Sequence, residues 1–120
     1  MPITSVTHHR WSDTTTERIN EAISRRYITA DRVTIAQFDL KQGGVVPMHA
    51  HENEQISYVQ SGTLLFTIDD QEIVVRGGEV IQIPGNVAHR VEVLEDSVVI
   101  DVFSPVRQDW VQGTDTYFRK

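Results

Sequence analysis

Residues 43–62 read G-G-V-V-P-M-H-A-H-E-N-E-Q-I-S-Y-V-Q-S-G. Glycine and serine at the two ends mark turns, and what lies between has the character of extended chain. In a strand alternate side chains share a face, so His49, His51 and Gln55 lie on one side of a sheet if no bulge intervenes. A third imidazole, His89, arrives in P-G-N-V-A-H, residues 84–89. A histidine pair at i, i+2 is by itself open between a metal pair and two packed or solvated polar residues. Three imidazoles and an amide together select a divalent transition metal over Ca or Mg. The expectation is one such ion, Ni, Zn, Mn or Fe, held by His49, His51, Gln55 and His89.

The flanking sequence supplies the sheet. Arg32 to Leu40 alternates apolar and polar residues and is rich in β-branched ones. Turns at Gly43-Gly44, Ser61-Gly62, Asp69-Asp70-Gln71, Gly77-Gly78 and Pro84-Gly85-Asn86 separate further short strands at Ile56–Val59, Thr63–Ile68, Ile73–Val75 and Val80–Ile83. Two more run from His89 to Leu94 and from Val98 to Phe103. About seven short strands at this spacing predict an all-β antiparallel sandwich or barrel. Residues 17–28 fit helical spacing through Ile19, Ala22, Ile23 and Tyr27, and strand spacing through Ile19, Glu21 and Ile23, so periodicity leaves them open. The tail from Gln108 is a turn of helix or irregular. His8 and His9 are expected to be solvated.

With 120 residues a single domain is expected, its core at about 30–106, with the N-terminal segment and C-terminal tail packing on or extending it. The absence of cysteine excludes disulfides and thiolate ligands and fits a reducing compartment. The start M-P-I-T-S-V has no charged stretch followed by an apolar run, so no signal peptide is expected. No apolar run nears the roughly 20 residues that span a bilayer, so the reading is cytoplasmic, with no membrane partner. A net charge of −6 argues against nucleic acid, whose binding rests on Lys and Arg. A homodimer is expected, because small β-sandwiches have edges and apolar outer faces to cover, here at Ile56 and Tyr58.

The two histidine runs have a common frame. Gly43 to Gly62 resembles the first cupin motif: Gly, five residues, His-x-His, three or four residues, Glu, six residues, Gly. Gly78 to His89, G-E-V-I-Q-I-P-G-N-V-A-H, resembles the second: Gly, five residues, Pro-x-Gly, two residues, His. The resemblance implies a cupin-type double-stranded β-helix, a jelly-roll barrel, with the metal inside. Two positions depart from it. Asn86 replaces a glycine, and asparagine tolerates positive φ better than other side chains. Gln55 replaces a glutamate, which leaves the ion's charge uncompensated and makes the site a stronger electrophile for anionic oxygen. Any base must then come from elsewhere.

Asp101, in V-V-I-D-V-F, is either an outward, wet strand residue, which composition favours, or an acid pointing into the cavity. Arg107 follows Pro105 on a loop or rim. It suits a carboxylate ligand, or else pairs at the surface with Asp109 or water. Phe103 shares the parity of Asp101 and lines the pocket or simply fills the core.

H-A-H-E-N-E-Q, P-G-N-V-A-H and D-V-F-S-P-V-R-Q-D-W together resemble the KdgF-type pectin-degradation cupins, from about Arg18 to Trp110. That resemblance implies conversion of cyclic 4,5-unsaturated uronates, from pectin or alginate, into open-chain 4-deoxy-5-keto uronates. It implies Asp101 and Arg107 as catalytic residues, with Arg107 also handling a small anionic sugar; Phe103 joins the substrate-binding set by its parity with Asp101, not by the resemblance. The competing readings are a cupin dioxygenase, a non-catalytic sugar-binding cupin and a metal-free structural barrel.

Overall fold

The computed structural model describes residues 6–115. The stretch M-P-I-T-S, read above for a leader, and the last five residues of the tail lie outside it. A 3-10 turn (Trp11–Asp13) precedes eight strands: β1 (Glu17–Arg18), β2 (Ile23–Thr29), β3 (Thr34–Leu40), β4 (Val45–His49), β5 (Glu54–Ile68), β6 (Gln71–Arg76), β7 (Val80–Ile83) and β8 (His89–Ser104). One short helix, α1 (Gln108–Gln112), follows. Among the described residues no helix is long and apolar enough to cross a membrane.

Two strands organise the rest. β5 and β8 pair antiparallel along their whole lengths, from Glu54↔Ser104 to Ile68↔His89. A straight strand rises roughly 3.3 Å per residue, so the 16 residues of β8 would reach about 53 Å. The longest extent of the molecule is 42 Å, so the ribbon must bend. It bends where the β5–β8 register shifts, between Val59 and Leu64. The bend also changes which residues face inward, from Gln55, Ser57 and Val59 before it to Leu64 and Phe66 after it. Past the bend the ribbon belongs to a second layer. One layer runs β1-β2-β3-β8-β5-β7, using the end of β8 and the start of β5; the other runs β4-β8-β5-β6, using the opposite halves. Apolar side chains from both, among them Phe38, Val46, Leu64, Phe66, Ile83, Val91, Val99 and Phe103, form the core between them. This is the all-β jelly-roll barrel expected from the sequence.

The bend corrects one expectation. Ile56–Val59 and Thr63–Ile68 are halves of one strand, as are His89–Leu94 and Val98–Phe103. The turn-like residues between them face each other across the ribbon, and pairing continues through Ser61↔Val98 and Thr63↔Glu95. Gly62 permits this. Its φ is +93°, and a Cβ there would collide with Ser97 Oγ and the Asp96 carbonyl and lie 2.7 Å from Ser97 Cα. Gly62→Ala should therefore destabilise the fold by roughly 2–4 kcal/mol, positive-φ strain and collision combined. Urea unfolding checks this; an unchanged midpoint would mean that the bend tolerates a side chain.

The undecided segment 17–28 is a hairpin. Asn20 Oδ1 accepts from Ala22 N at 2.8 Å and Ile23 N at 3.0 Å, an Asx turn that splits the segment too short for a helix. β2 then takes the free edge of β3, with Ile23 and Arg25 inward. The tail is a short helix ended by Gly113 in the left-handed region. Its Trp110 packs under the barrel against Phe38, Phe103 and Tyr27. His8 and His9 are exposed. Ile56 and Tyr58 face outward, 40% and 39% exposed in the single chain.

Candidate metal centre and its buried acid

β4 ends at His49 and β8 begins at His89, and these two residues pair across the ladder with ring centroids 4.3 Å apart. β4 ends at His49 and β5 begins only at Glu54, so the alternation assumed from sequence does not run on through His51 to Gln55. His51 comes instead from the connection between β4 and β5, and Gln55 from the second residue of β5. The connection is brought inward by close backbone packing. Asn86, at φ +65°, donates its N–H to the His51 carbonyl at 2.7 Å. Gly85 lies so near Glu52 that a Cβ would collide with its carbonyl. The P-G-N turn thus seats the His51 loop as well as leading into His89.

The three imidazoles converge. One nitrogen of each of His49, His51 and His89 lies within 4.8 Å of the others, a group that could hold a metal ion. Their tautomers follow from their partners. Nδ1 of His49 lies 2.7 Å from the Pro47 carbonyl, Nδ1 of His51 3.1 Å from that of Asn53, and Nδ1 of His89 2.9 Å from that of Val87. A carbonyl only accepts, so each Nδ1 carries the hydrogen and each Nε2 the lone pair. His51 Nε2 then faces Gln55 Oε1 at 3.0 Å with no proton between two acceptors. A cation there would satisfy both atoms, and the donor set of three imidazoles and an amide oxygen fits a divalent transition metal. Burial keeps the three imidazoles neutral: it lowers His49 to about 3 and His51 to about 4, and lowers His89 as well, with neighbouring positive charge from Arg107 acting in the same direction.

Asp101 lines the same cavity as His49, Gln55, His89, Phe103 and Arg107. It is 9% exposed, and its Oδ1 is buried with no hydrogen-bond partner among the described residues. The outward, wet reading that composition favoured is therefore overturned. Inward parity along β8, shared with Val99 and Phe103, prevails over the low strand propensity of Asp. Burial pushes its carboxyl up to about 6, against the pull of a hydrogen bond from Ser57 and the charge of Arg107. The usual carboxyl value is 3.8, so the folded chain holds this proton more tightly than the unfolded one. Stability from that proton is complete below pH ~4 and is lost as pH rises through about 6. In metal-free protein, Asp101→Asn should then match the wild type at pH 4 and exceed it at pH 8 by up to roughly 3 kcal/mol. Unfolding midpoints at the two pH values check this; a gap that does not widen with pH would place the ionised carboxyl in a wetter setting.

Arg107 does pair with Asp109, as the surface reading had it, through Nε at 2.8 Å and Nη2 at 2.6 Å. Yet it is 1% exposed, and its guanidinium lies 4.6 Å from the Phe103 ring and 4.4 Å from the Trp110 ring. Burial pushes the Asp109 carboxyl up, and the hydrogen bonds and charge of Arg107 outweigh this and hold it below its usual range. Phe103 is buried and stands edge-on to His51, with ring centroids 5.7 Å apart.

Other residues that brace the site went unnoticed in the sequence. Asn53 Nδ2 donates to the carbonyls of Pro105 and Val106, tying the His51 loop to the segment that carries Arg107. Arg25, inward on β2, bonds Glu17 at 2.7 Å and Asp115 at 2.8 Å and lies 4.1 Å from the Trp110 ring centroid. It clamps the tail beneath the cavity. An arginine at inward parity in I-S-R-R-Y-I was the available signal, usable only once residues 23–29 are known to be a strand.

The sequence profile of the cupin domain family matches residues 36–103, which hold both histidine runs and Asp101. The chain belongs to the cupin family. This cupin is 30% identical over 102 residues to the pectin degradation protein KdgF of Dickeya dadantii (strain 3937), covering 82% of this chain and 93% of that one. The solved structure of KdgF from a Halomonas species superposes with a TM-score of 0.77 at 26% identity, covering 82% of the cupin described here and 94% of its own chain. An RmlC-like cupin from Shewanella frigidimarina NCIMB 400 superposes with a TM-score of 0.81 at 25% identity, covering 88% and 96%.

Proposed function

We propose that this cupin catalyses the metal-dependent linearisation of cyclic 4,5-unsaturated uronates, from pectin or alginate, to open-chain 4-deoxy-5-keto uronates. The similarity to the pectin degradation protein KdgF supports a role in pectin breakdown. The observation that carries the chemistry is the company Asp101 keeps: a buried carboxyl sharing one cavity with a neutral ligand set and a buried guanidinium.

The substrate is an anion with a cyclic hemiacetal and an enol ether. Ring opening removes the proton of the anomeric hydroxyl and breaks the bond from the anomeric carbon to the ring oxygen, which leaves with the electron pair, giving an aldehyde and an enolate at C5. Ketonisation then adds a proton at C4. Atoms and electrons balance without an oxidant. Asp101 is the base for the first proton and the acid for the second, and its raised carboxyl value suits a group that both takes and gives near neutrality. Arg107, gripped by Asp109 and stacked on Phe103 and Trp110, presents a fixed guanidinium to the substrate carboxylate. A divalent ion held by His49, His51, Gln55 and His89 would supply Lewis-acid polarisation of substrate oxygens. Phe103 and the apolar wall of Val91, Val99 and Phe66 keep water from the reacting atoms.

Product analysis separates this reaction from oxygenation. Unsaturated monouronate incubated with the metal-loaded protein in an oxygen electrode cell should give the open-chain keto acid by NMR with no oxygen uptake. Stoichiometric oxygen uptake would make the protein a dioxygenase instead.

A further inference from the structure

Ser57 lies two residues beyond Gln55 on β5, faces inward with it, and is 1% exposed. Gln55 Nε2 donates to Ser57 Oγ at 2.9 Å, while Gln55 Oε1 lies 3.0 Å from His51 Nε2. The two ends of one amide thus have different neighbours. They are alike in shape and opposite in function, since only the oxygen has a lone pair for a cation. A hydroxyl can donate or accept, so Ser57 alone would not tell the ends apart. Its partner across the ladder does. Ser57 pairs directly with Asp101 in the β5–β8 register, with both side chains inward and buried, which sets its hydroxyl beside the Asp101 carboxyl. A carboxylate only accepts, so the single hydroxyl hydrogen goes to Asp101 and only lone pairs face Gln55. Lone pairs admit the amide NH2 and repel the amide oxygen.

We propose that Ser57 is a positioning residue of the metal centre: anchored on Asp101, it turns the oxygen of Gln55, and not its nitrogen, toward the three imidazoles. This rests on the reading of Gln55 as a metal ligand. A glutamate at position 55 would need no such device, because its two oxygens are equivalent. The amide needs one, and the chain Asp101–Ser57–Gln55 also joins the acid to the metal site through a single hydroxyl.

The test is Ni(II) affinity, measured at pH 7.5 by competition with a chromophoric chelator on the full metal-free chain. The proteins are wild type, Ser57→Ala, Gln55→Glu, the double variant and Gln55→Ala, with metal-free unfolding midpoints as the control for folding. Removing a hydrogen-bond partner of a metal ligand typically costs about 10- to 100-fold in affinity. Ser57→Ala should weaken Ni(II) binding at least about tenfold when Gln55 is intact and less than about threefold when it is combined with Gln55→Glu, where there is no amide to orient. Equal weakening in both backgrounds would reduce Ser57 to a packing residue, and no weakening beside Gln55 would remove its role; either overturns the inference. Gln55→Ala that binds Ni(II) as tightly as the wild type would overturn the ligand reading itself, and this inference with it.

Discussion

Asp101→Asn is expected to slow ring opening by about 10²- to 10⁴-fold, the usual contribution of one positioned acid–base group. The substitution keeps shape and an acceptor oxygen for Ser57, so metal content should not change. It removes the one property the proposed reaction needs from this residue, which is to accept and release a proton near neutral pH. Burial gives Asp101 that property, by raising its carboxyl to about 6. A carboxyl of ordinary value would be a weaker base toward the anomeric hydroxyl and a rarer acid toward C4. Turnover of the unsaturated uronate together with metal analysis checks the expectation. Wild-type turnover in the Asn variant would take Asp101 out of the mechanism.

His89→Ala is expected to abolish metal binding at micromolar concentrations and, with it, turnover. His89 is the buried member of the triad and packs at 4.3 Å and 5.1 Å, ring centroid to centroid, from His49 and His51. Loss of one imidazole leaves two and an amide, too few donors for a closed set around a divalent ion. The loss of a ligand should exceed the roughly 10- to 100-fold that follows from removing a ligand's hydrogen-bond partner. Elemental analysis of the purified variant and its circular dichroism separate loss of metal from loss of fold. Full turnover in a folded, metal-free His89→Ala protein would show that the metal has no part in the reaction.

The sequence made the architecture legible because period-two alternation and turn residues report strands wherever one face is buried, as Thr34–Leu40 and Val80–Ile83 illustrate. What it concealed was continuity. Ser61-Gly62 and Glu95-Asp96 have the composition of turns, yet each is the corner of a long strand whose partner bends with it. The candidate site was legible as a set of residue types and only partly as geometry. Strand alternation does not link His49, His51 and Gln55, because β4 ends at His49; loop packing by Gly85 and Asn86 brings the groups together instead. Asp101 could not be oriented from composition, because a wet acid and a cavity acid have the same local sequence. Ser57 and Asn53 gave no signal, since their roles depend on partners 44 and more than 50 residues away.

Ring opening of an unsaturated uronate by this cluster would remove the conjugated double bond and its absorbance with it. The most direct measurement follows the ultraviolet absorbance of the conjugated double bond after lyase digestion of pectin or alginate, with metal-loaded protein, with chelator-treated protein and with none. Absorbance should fall faster than the spontaneous rate only with the metal-loaded protein. Decay at the spontaneous rate on the products of both polymers would contradict the account.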